Sequence, residues 1–313
     1  MSATAEASHF RHGNIDWRIP DPAGAPLTVE FTVRSTWRAG SLDSVSVQFG
    51  DGFASSTAAT VIGSGVDASG GAYTTTEFVE VHTYAAAGNY SAFFASCCRV
   101  AGLQGGTASG SFRVESTVSL IADGSNSGPP NMGVLPIQQL QVAGIRQIAF
   151  PIADPDGDAV TCRFSTDTEA GLPAGTAVPT VAATGVQPVV IQDGSGGNLC
   201  VIQWDTTGAV IGNLHVMHIV LESTNSGIVS KTANDFLVEM VLPPPPVCTG
   251  GGVYQLTAGV PFSVGTTTTS ATSTTLSVTG APAGSTLNPV VGTVQASPAS
   301  ATFSWTPGPG DDG

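Results

Sequence analysis

Residues 27–33 read Leu-Thr-Val-Glu-Phe-Thr-Val, with an apolar side chain at every second position. The same alternation recurs at residues 45–49, Val-Ser-Val-Gln-Phe, and at residues 236–240, Phe-Leu-Val-Glu-Met. Successive side chains of a β-strand point to opposite faces, so this period predicts half-buried strands. Turn sequences such as Asp-Gly at residues 156–157 separate such runs, and almost no stretch has a helical period. The sequence therefore predicts an all-β fold of Ig-like β-sandwiches.

The composition excludes several classes of partner. Charged residues make up 10% of the 313-residue chain, the formal net charge is −14, and Lys231 is the only lysine. Nucleic acids and anionic membrane surfaces need a basic face, so neither is an expected partner. No apolar run reaches the roughly 18 residues that span a bilayer, so no membrane insertion is expected. An acidic surface with almost no lysine is typical of a protein exported to the extracellular medium or the cell surface.

Two stretches of linker composition divide the chain. Residues 122–130 read Ala-Asp-Gly-Ser-Asn-Ser-Gly-Pro-Pro, and residues 243–246 are four prolines, a stiff spacer. The first residues contain Ala-x-Ala pairs like the end of a signal peptide, although a disordered N-terminus explains them equally well. The predicted organisation is a disordered N-terminus (1–8), a first sandwich (9–121), a linker (122–130), a second sandwich (131–242), a polyproline linker (243–246) and a partial third sandwich (247–313).

An internal repeat supports this division. Pro-Ala-Gly at residues 173–175 is followed by Trp204, and Pro-Ala-Gly at residues 282–284 is followed by Trp305. The second segment continues into two further strands after its tryptophan, whereas the third does not. We therefore expect an elongated tandem array whose third sandwich is incomplete. Either the sequence is a fragment of a longer protein, or a neighbouring subunit fills the open edge by strand addition.

Residues 47–52, Val-Gln-Phe-Gly-Asp-Gly, and residues 82–90, His-Thr-Tyr-Ala-Ala-Ala-Gly-Asn-Tyr, resemble a PKD domain, an Ig-like sandwich of secreted and surface proteins. The resemblance implies structural roles for both stretches. Val47-Gln48 stands where the family has Trp-Asp, and the stretch 53–81 is longer than in the family. The first segment is therefore expected to be a PKD-like sandwich.

The second and third segments resemble bacterial Ig-like or cadherin-like repeats. The matching stretches include residues 153–158, Ala-Asp-Pro-Asp-Gly-Asp, and residues 303–307, Phe-Ser-Trp-Thr-Pro. Alternate carboxylates around a glycine turn suit Ca²⁺, which prefers oxygen ligands, and the resemblance points the same way. The alternative is a plain hairpin turn, because Asp-Gly is itself a turn signal. The candidate calcium ligands are Asp154, Asp156 and Asp158, with Asp123 and Asn126 from the linker.

The five cysteines favour disulfides if the protein is exported. Cys162 and Cys200 are expected on two different strands, and a bond between them would close a loop of about 40 residues. Two buried thiols are the alternative. Cys97 and Cys98 are adjacent on a predicted strand, so a vicinal disulfide, pairing with a distant cysteine, and one buried plus one free thiol all remain open. Cys248 has no evident partner.

No catalytic motif is present, so the sequence predicts no enzyme. The favoured function is a non-catalytic extracellular structural or adhesive protein, rigidified by calcium, that binds itself or other surface and matrix proteins. One alternative is a filament subunit assembled by β-strand complementation of the third domain. Another is an accessory carbohydrate-binding or spacer region of a secreted hydrolase, which would bind polysaccharide through exposed Trp17 and Trp37.

Overall fold

A computed structural model of the chain describes residues 10–41, 45–67, 70–104, 110–195, 198–243, 247–249, 254–270 and 273–311. The N-terminal residues 1–8 and prolines 244–246, on which two sequence predictions depend, lie outside these ranges. The chain divides into two compact units, Met1–Val241 (unit 1) and Leu242–Gly313 (unit 2). We describe each unit by itself.

Almost all regular structure is β-strand. The strands of unit 1 are β1 His12–Arg18, β2 Thr28–Arg38, β3 Val47–Gln48, β4 Ala54–Ser55, β5 Thr60–Val66, β6 Ala72–Thr83, β7 Gly88–Cys97, β8 Leu103–Gln104, β9 Ser111–Leu120, β10 Asn131–Met132, β11 Ile137–Gln141, β12 Ile145–Ala153, β13 Val160–Phe164, β14 Val189–Asp193, β15 Leu199–Asp205, β16 Leu214–Asn225 and β17 Ile228–Val241. The strands of unit 2 are β18 Val247–Thr249, β19 Phe262–Thr269, β20 Thr274–Thr275, β21 Thr286–Asn288, β22 Val294–Gln295 and β23 Ala299–Trp305. The helix α1, Asp167–Ala170, begins at a Thr166 capping box and ends at Gly171 in the left-handed conformation.

The first segment of unit 1 is a sandwich of two strand groups, β1-β2-β6-β5 and β4-β3-β7-β9. Its apolar side chains form one buried cluster that runs from Phe10 to Leu120. The predicted alternation at residues 27–33 corresponds to β2, where Val29, Phe31 and Val33 are buried and the residues between them are partly exposed. This sandwich is therefore built as the pattern predicts.

The second segment is a sandwich with strand groups β11-β17-β16-β13 and β10-β12-β15-β14. Strand β11 runs parallel to β17, and all other pairings within these two groups are antiparallel. A separate buried cluster from Met132 to Met240, including Trp204, forms its core. The predicted class, all-β with tandem Ig-like sandwiches, is confirmed by this architecture.

Strand β17 belongs to both sandwiches of unit 1. One edge pairs with β16 at residues 228–239. The other edge pairs in turn with β9 at residues 231–232, with β1 at residues 234–235 and with β11 at residues 237–241. Leu237 and Glu239 are buried like Phe236 and Val238, and Leu237 packs in a cluster with Leu103. The prediction of a half-buried strand at residues 236–240 is wrong, because residues from elsewhere in unit 1 cover its second face.

The two hydrophobic clusters of unit 1 coincide with the segments 9–121 and 131–242, but both lie in one compact unit. The stretch 122–130 is packed within it, with Asn126 only 1% exposed. The division into three domains stays a prediction. No helix in the described part of the chain is long and apolar enough to cross a membrane.

Unit 2 contains a sheet β18-β19-β23-β21 and a two-stranded sheet β20-β22. Its buried residues within the described ranges are Thr268, Ala299, Ala301 and Pro307. No described valine, leucine or aromatic side chain of this unit is fully buried. Unit 2 therefore has strands in register but no closed apolar core.

Candidate functional site

The acidic turn at residues 154–158 connects β12 to β13. Oδ1 of Asp154 accepts a hydrogen bond from the Asp156 backbone N–H at 2.9 Å, and the Gly157 N–H donates to the Asp154 carbonyl at 3.2 Å. Gly157 has φ 82°, a conformation that favours glycine. An aspartate that bonds the backbone two residues ahead forms a tight turn by itself. The hairpin-turn interpretation therefore accounts for the local backbone.

Asp156 connects this turn to the stretch 122–130. Its carboxylate accepts hydrogen bonds from the Ser127 backbone N–H at 2.8 Å and from Ser127 Oγ at 2.5 Å. The predicted approach of the linker to the acidic turn is thus present. It uses Ser127, which the sequence analysis did not single out.

Asp123 and Asn126 are engaged elsewhere. Oδ1 of Asp123 accepts from the Ser125 backbone N–H at 3.0 Å, and hydrogen bonds from Ser125 lower the pKa of Asp123. Nδ2 of Asn126 donates to the Ser119 carbonyl at 2.8 Å and to Ser230 Oγ at 3.0 Å. Asn126 therefore fixes the linker to β9 and β17, and neither residue lines the cavity beside the acidic turn.

A cavity of about 320 Å³ lies beside the turn, between the ends of β12, β13 and β15. Asp154, Asp158, Ser195 and Asn198 supply polar groups to its lining. Oδ2 of Asp154 and Oδ2 of Asp158 are covered and have no hydrogen-bond partner among the described residues. Burial, together with the charge of Asp154, raises the pKa of Asp158. These two oxygens are the part of the predicted site that is available to a cation.

The fit of this site to calcium is partial. Ca²⁺ takes six to eight oxygen ligands, with carboxylates prominent among them. In the described ranges, no three His, Cys, Asp or Glu side chains are arranged to hold a metal ion. Asp154 and Asp158 have the right chemistry, and Asn198 and Ser195 lie in the same cavity. Calcium at this turn stays a prediction that depends on two carboxylates rather than five ligands.

Trp17 and Trp37 are not surface residues. Each is 2% exposed and belongs to the core of the first sandwich. Nε1 of Trp17 donates to the Thr117 carbonyl at 3.3 Å, and Nε1 of Trp37 donates to Ser35 Oγ at 2.8 Å. A sugar ring stacks only on an exposed aromatic face, so the proposed carbohydrate platform is wrong for both residues.

Four of the five cysteines form two disulfides. Cys162 on β13 and Cys200 on β15 are bonded across the two sheets of the second sandwich, with their Cα atoms 5.9 Å apart. Cys97 and Cys98 are bonded to each other, which selects one of the three arrangements left open by the sequence. Cys248, at the edge strand β18, is a free and exposed cysteine.

The sequence analysis missed a buried polar cluster at the junction of the two sandwiches. Arg99 and Asp235 form an ion pair whose side chains are both 0% exposed. The guanidinium of Arg99 lies 5.5 Å from the Phe10 ring centroid. His12 is close by, and burial lowers its pKa to about 4. His218 is also buried, with Nε2 at 3.1 Å from the Arg113 carbonyl. The only signal of this cluster in the sequence was Arg99, directly after two cysteines. Its partner Asp235 is 136 residues away in the sequence.

Unit 2 contains an apolar groove of about 380 Å³. It lies where a closed sandwich would have its core, and it is lined by uncharged residues. The large apolar residues of this lining are Tyr254, Phe262, Val264, Leu276, Val278, Leu287 and Phe303.

Residues 11–121 match the family model described as Integrin beta-like protein A-E, N-terminal. The match covers about a third of the chain, 111 of 313 residues, so it is a similarity of the first segment only. A comparison with curated proteins gives no significant match.

Among solved structures, the chain is similar to an I-band fragment of titin at 10% identity, over 91% of this chain and 84% of that one, with a TM-score of 0.19. It is also similar to a tandem of titin Ig domains at 9% identity, over 75% of this chain and 97% of that one, with a TM-score of 0.21. The titin Z1Z2 domains in complex with telethonin give 14% identity, coverages of 76% and 98%, and a TM-score of 0.18. These TM-scores are too low to carry an argument, so the fold is taken from the strand pairings.

Proposed function

We propose that the chain is a non-catalytic structural or adhesive protein of the cell surface or extracellular matrix. The observation that carries this proposal is the joining of two Ig-like sandwiches through one shared strand, β17. A rigid pair of sandwiches is suited to holding surfaces at fixed positions. The similarity of residues 11–121 to the N-terminal region of integrin beta-like proteins supports a surface location and binding to other proteins.

Further observations agree with an extracellular site of action. Disulfides persist in oxidising compartments, and the second sandwich has one across its core. The chain has a formal net charge of −14 and contains one lysine. The PKD-like stretches of the first segment and the cadherin-like stretches of the second resemble modules of secreted and surface proteins. Calcium at Asp154 and Asp158 is a further part of the proposal and would stiffen the contact between the acidic turn and Ser127.

The two alternative functions differ in their support. A carbohydrate-binding accessory region lacks its aromatic platform, because Trp17 and Trp37 are buried. A filament subunit would need a donor strand for unit 2, and the apolar groove there favours strand addition. The two longest apolar strands of the chain, β16 and β17, are already buried in unit 1.

The proposal is tested on the native source cells. Intact cells are labelled with a membrane-impermeant biotin reagent, and the oxidation state of Cys162 and Cys200 is read by alkylation and mass spectrometry. We expect labelling of intact cells and an oxidised pair. In parallel, beads coated with the full chain should retain source cells or their matrix above beads coated with serum albumin. An intracellular protein with reduced cysteines, or beads that retain nothing, would overturn the proposal.

A further inference from the structure

The two sandwiches of unit 1 are connected by residues 97–104, the strap. The strap begins with the vicinal disulfide, whose first cysteine ends β7, and it ends with β8, which pairs in parallel with β16 of the second sandwich. Between these ends, Val100 and Leu103 pack in one apolar cluster with Leu237 of β17. The strap therefore starts in the first sandwich and ends in the second.

Backbone hydrogen bonds hold the strap directly after the disulfide. The Cys98 carbonyl accepts from the Phe10 N–H at 3.2 Å, and the Val100 N–H donates to the Phe10 carbonyl at 3.3 Å. Arg99 lies between these two bonds, and its guanidinium reaches Asp235 of β17. The position of the buried ion pair thus depends on the course of the backbone that leaves the disulfide.

The disulfide itself can be reached from solvent. Cys97 is exposed and Cys98 is half-buried. Thiol–disulfide exchange starts when a thiolate attacks an accessible disulfide sulfur. Cys162 and Cys200 are 4% and 0% exposed, so the folded second sandwich keeps the same reagent away from their bond. An accessible disulfide thus stands directly before Arg99, the buried anchor of the strap.

We propose that the Cys97–Cys98 disulfide is a site of thiol–disulfide exchange with a dithiol reductant, and that its reduction loosens the strap and the junction of the two sandwiches. The bond is then a redox-sensitive control of how firmly β17 is held against the first sandwich. This inference goes beyond the structural or adhesive function and does not depend on it.

The exchange proceeds in two steps. A thiolate of the reductant attacks Sγ of Cys97, the bond between the two cysteines breaks, and Cys98 leaves as a thiolate that takes up a proton. The second thiolate of the reductant then attacks the reductant's own sulfur in this mixed disulfide, so that Cys97 leaves as a thiolate and is protonated. The protein gains two electrons and two protons, and the dithiol is oxidised to its disulfide.

Reduction loosens the strap because the disulfide closes a small ring through the side chains and the backbone of two adjacent residues. The closed ring restricts the dihedral angles of Cys97 and Cys98. After reduction both residues regain conformational freedom, which must be lost again each time the strap is held in place. The hydrogen bonds to Phe10 and the pair of Arg99 with Asp235 should therefore open more often.

The test uses the full chain with the substitution Cys248→Ser, so that the exposed thiol of unit 2 takes no part in exchange. Dithiothreitol is added without denaturant until alkylation and mass spectrometry of a sample show that Cys97–Cys98 is reduced and Cys162–Cys200 is intact. Hydrogen exchange is then measured on the oxidised, the reduced and the reoxidised protein.

We expect amide exchange to quicken by about tenfold or more after reduction at two places, residues 99–100 of the strap and residues 234–235 of β17. Exchange in β12 and β15, which lie in the second sandwich away from the strap, should change less than about twofold. Reoxidation should restore the slow exchange. This comparison needs no substitution in the strap, so it stands even if a strap variant fails to fold.

The matched variant is Cys97→Ser/Cys98→Ser, which has no bond to reduce. Its exchange at residues 99–100 and 234–235 should equal that of the reduced protein, with or without dithiothreitol. Circular dichroism verifies that the variant is folded.

Three results would overturn the proposal. The first is a vicinal disulfide that stays oxidised at a dithiothreitol concentration that reduces Cys162–Cys200. The second is unchanged exchange at residues 99–100 and 234–235 after reduction, or equal quickening throughout unit 1, which would mean general unfolding. The third is a response of the Cys97→Ser/Cys98→Ser variant to dithiothreitol at the strap, because the effect would then have another origin.

Discussion

The guanidinium of Arg99 donates to both carboxylate oxygens of Asp235, with Nη1–Oδ1 and Nη2–Oδ2 distances of 2.8 and 2.5 Å, and neither side chain reaches solvent. Arg99 follows the vicinal disulfide of the first sandwich, and Asp235 lies on β17. Two parallel charge-assisted bonds fix both position and orientation. The pair therefore holds the shared strand against the first sandwich.

Arg99→Met should lower the free energy of unfolding of unit 1 by about 3–5 kcal/mol, because it leaves the Asp235 carboxylate buried without its counter-charge. The measurement is urea denaturation followed by tryptophan fluorescence. The matched control is Arg18→Met, which breaks an ion pair with Glu30 whose arginine side chain is 67% exposed. That variant should change the free energy of unfolding little, because the solvent-exposed pair is screened by water.

The double variant Arg99→Met/Asp235→Leu should recover much of the loss, since it removes both charges together. If Arg99→Met and Arg18→Met destabilise equally, the pair does not hold the junction.

Acidification should destabilise unit 1 between pH about 6.5 and about 4. Burial lowers the pKa of His215 from 6.5 to about 4. The unfolded chain therefore binds more protons than the folded protein in this window, so the free energy of unfolding falls as the pH falls. A pKa difference of this size between the unfolded and folded states corresponds to about 3 kcal/mol in the free energy of unfolding for one histidine.

His215→Gln should remove that share of the pH dependence, as measured by denaturation at pH 7, 5.5 and 4. Burial also lowers the pKa of His12 to about 4, so part of the pH dependence should remain in the variant. Identical pH profiles for wild type and His215→Gln would contradict the assignment.

The two disulfides should differ in their accessibility to reductant. Cys97 is exposed, whereas Cys162 and Cys200 are 4% and 0% exposed. Thiol–disulfide exchange needs access of the attacking thiolate to a sulfur atom. Without denaturant, a dithiol reductant should therefore reduce Cys97–Cys98 first, as read by alkylation and mass spectrometry. Equal rates for the two bonds would show that the second sandwich opens easily.

Removal of the buried disulfide should also reduce stability. The bond between Cys162 and Cys200 spans a sequence separation of 38 residues. Cys162→Ala/Cys200→Ala should lower the free energy of unfolding by about 3–4 kcal/mol in the chain-entropy model. Cys248→Ser, at an exposed free thiol, is the control and should have little effect.

Asp158→Asn should have opposite effects with and without calcium. Burial and the charge of Asp154 raise the pKa of Asp158, so folding places its ionised carboxylate in a less favourable environment than the unfolded chain does, and the variant should unfold at a higher temperature than wild type in the presence of a chelator. If Asp158 is a ligand, calcium should raise the unfolding temperature of wild type but not of the variant. Asp193→Asn, at a carboxylate bonded to Ser195 beside the same cavity, is the control. Calorimetric scans of the wild-type protein that are identical with calcium and with chelator would contradict calcium binding at this turn.

The local pattern of the sequence predicted much of the fold. Alternation identified β2 because one face of that strand meets a core and the other meets solvent. Cys162 and Cys200 could be placed on different strands for the same reason. The Asp-Gly turn after Asp154 was predictable because an aspartate side chain and a glycine are sufficient to form it.

The long-range features could not be derived from local pattern. On the second face of β17, Leu237 lies in a buried cluster with Leu103 and Val100, more than 100 residues earlier in the chain, so alternation at residues 236–240 gave the wrong exposure. Asp123 and Asn126 lie in a stretch whose composition is that of a flexible linker. However, the Asp123 carboxylate accepts a hydrogen bond from the Ser125 backbone, and the Asn126 side chain donates one to Ser230 of β17. Whether a tryptophan such as Trp37 lies in the core or on the surface depends on which strands pack over it, which alternation alone does not determine.

The shared strand β17 has a mechanical consequence. A pulling force between the first and second sandwiches cannot simply straighten residues 122–130, because the hydrogen bonds of β17 to β1 and β9 bear the load together with the Arg99–Asp235 pair. These contacts act in parallel and must yield together. Under tension, the two sandwiches should therefore transmit force as one stiff body instead of unfolding one after the other as independent domains.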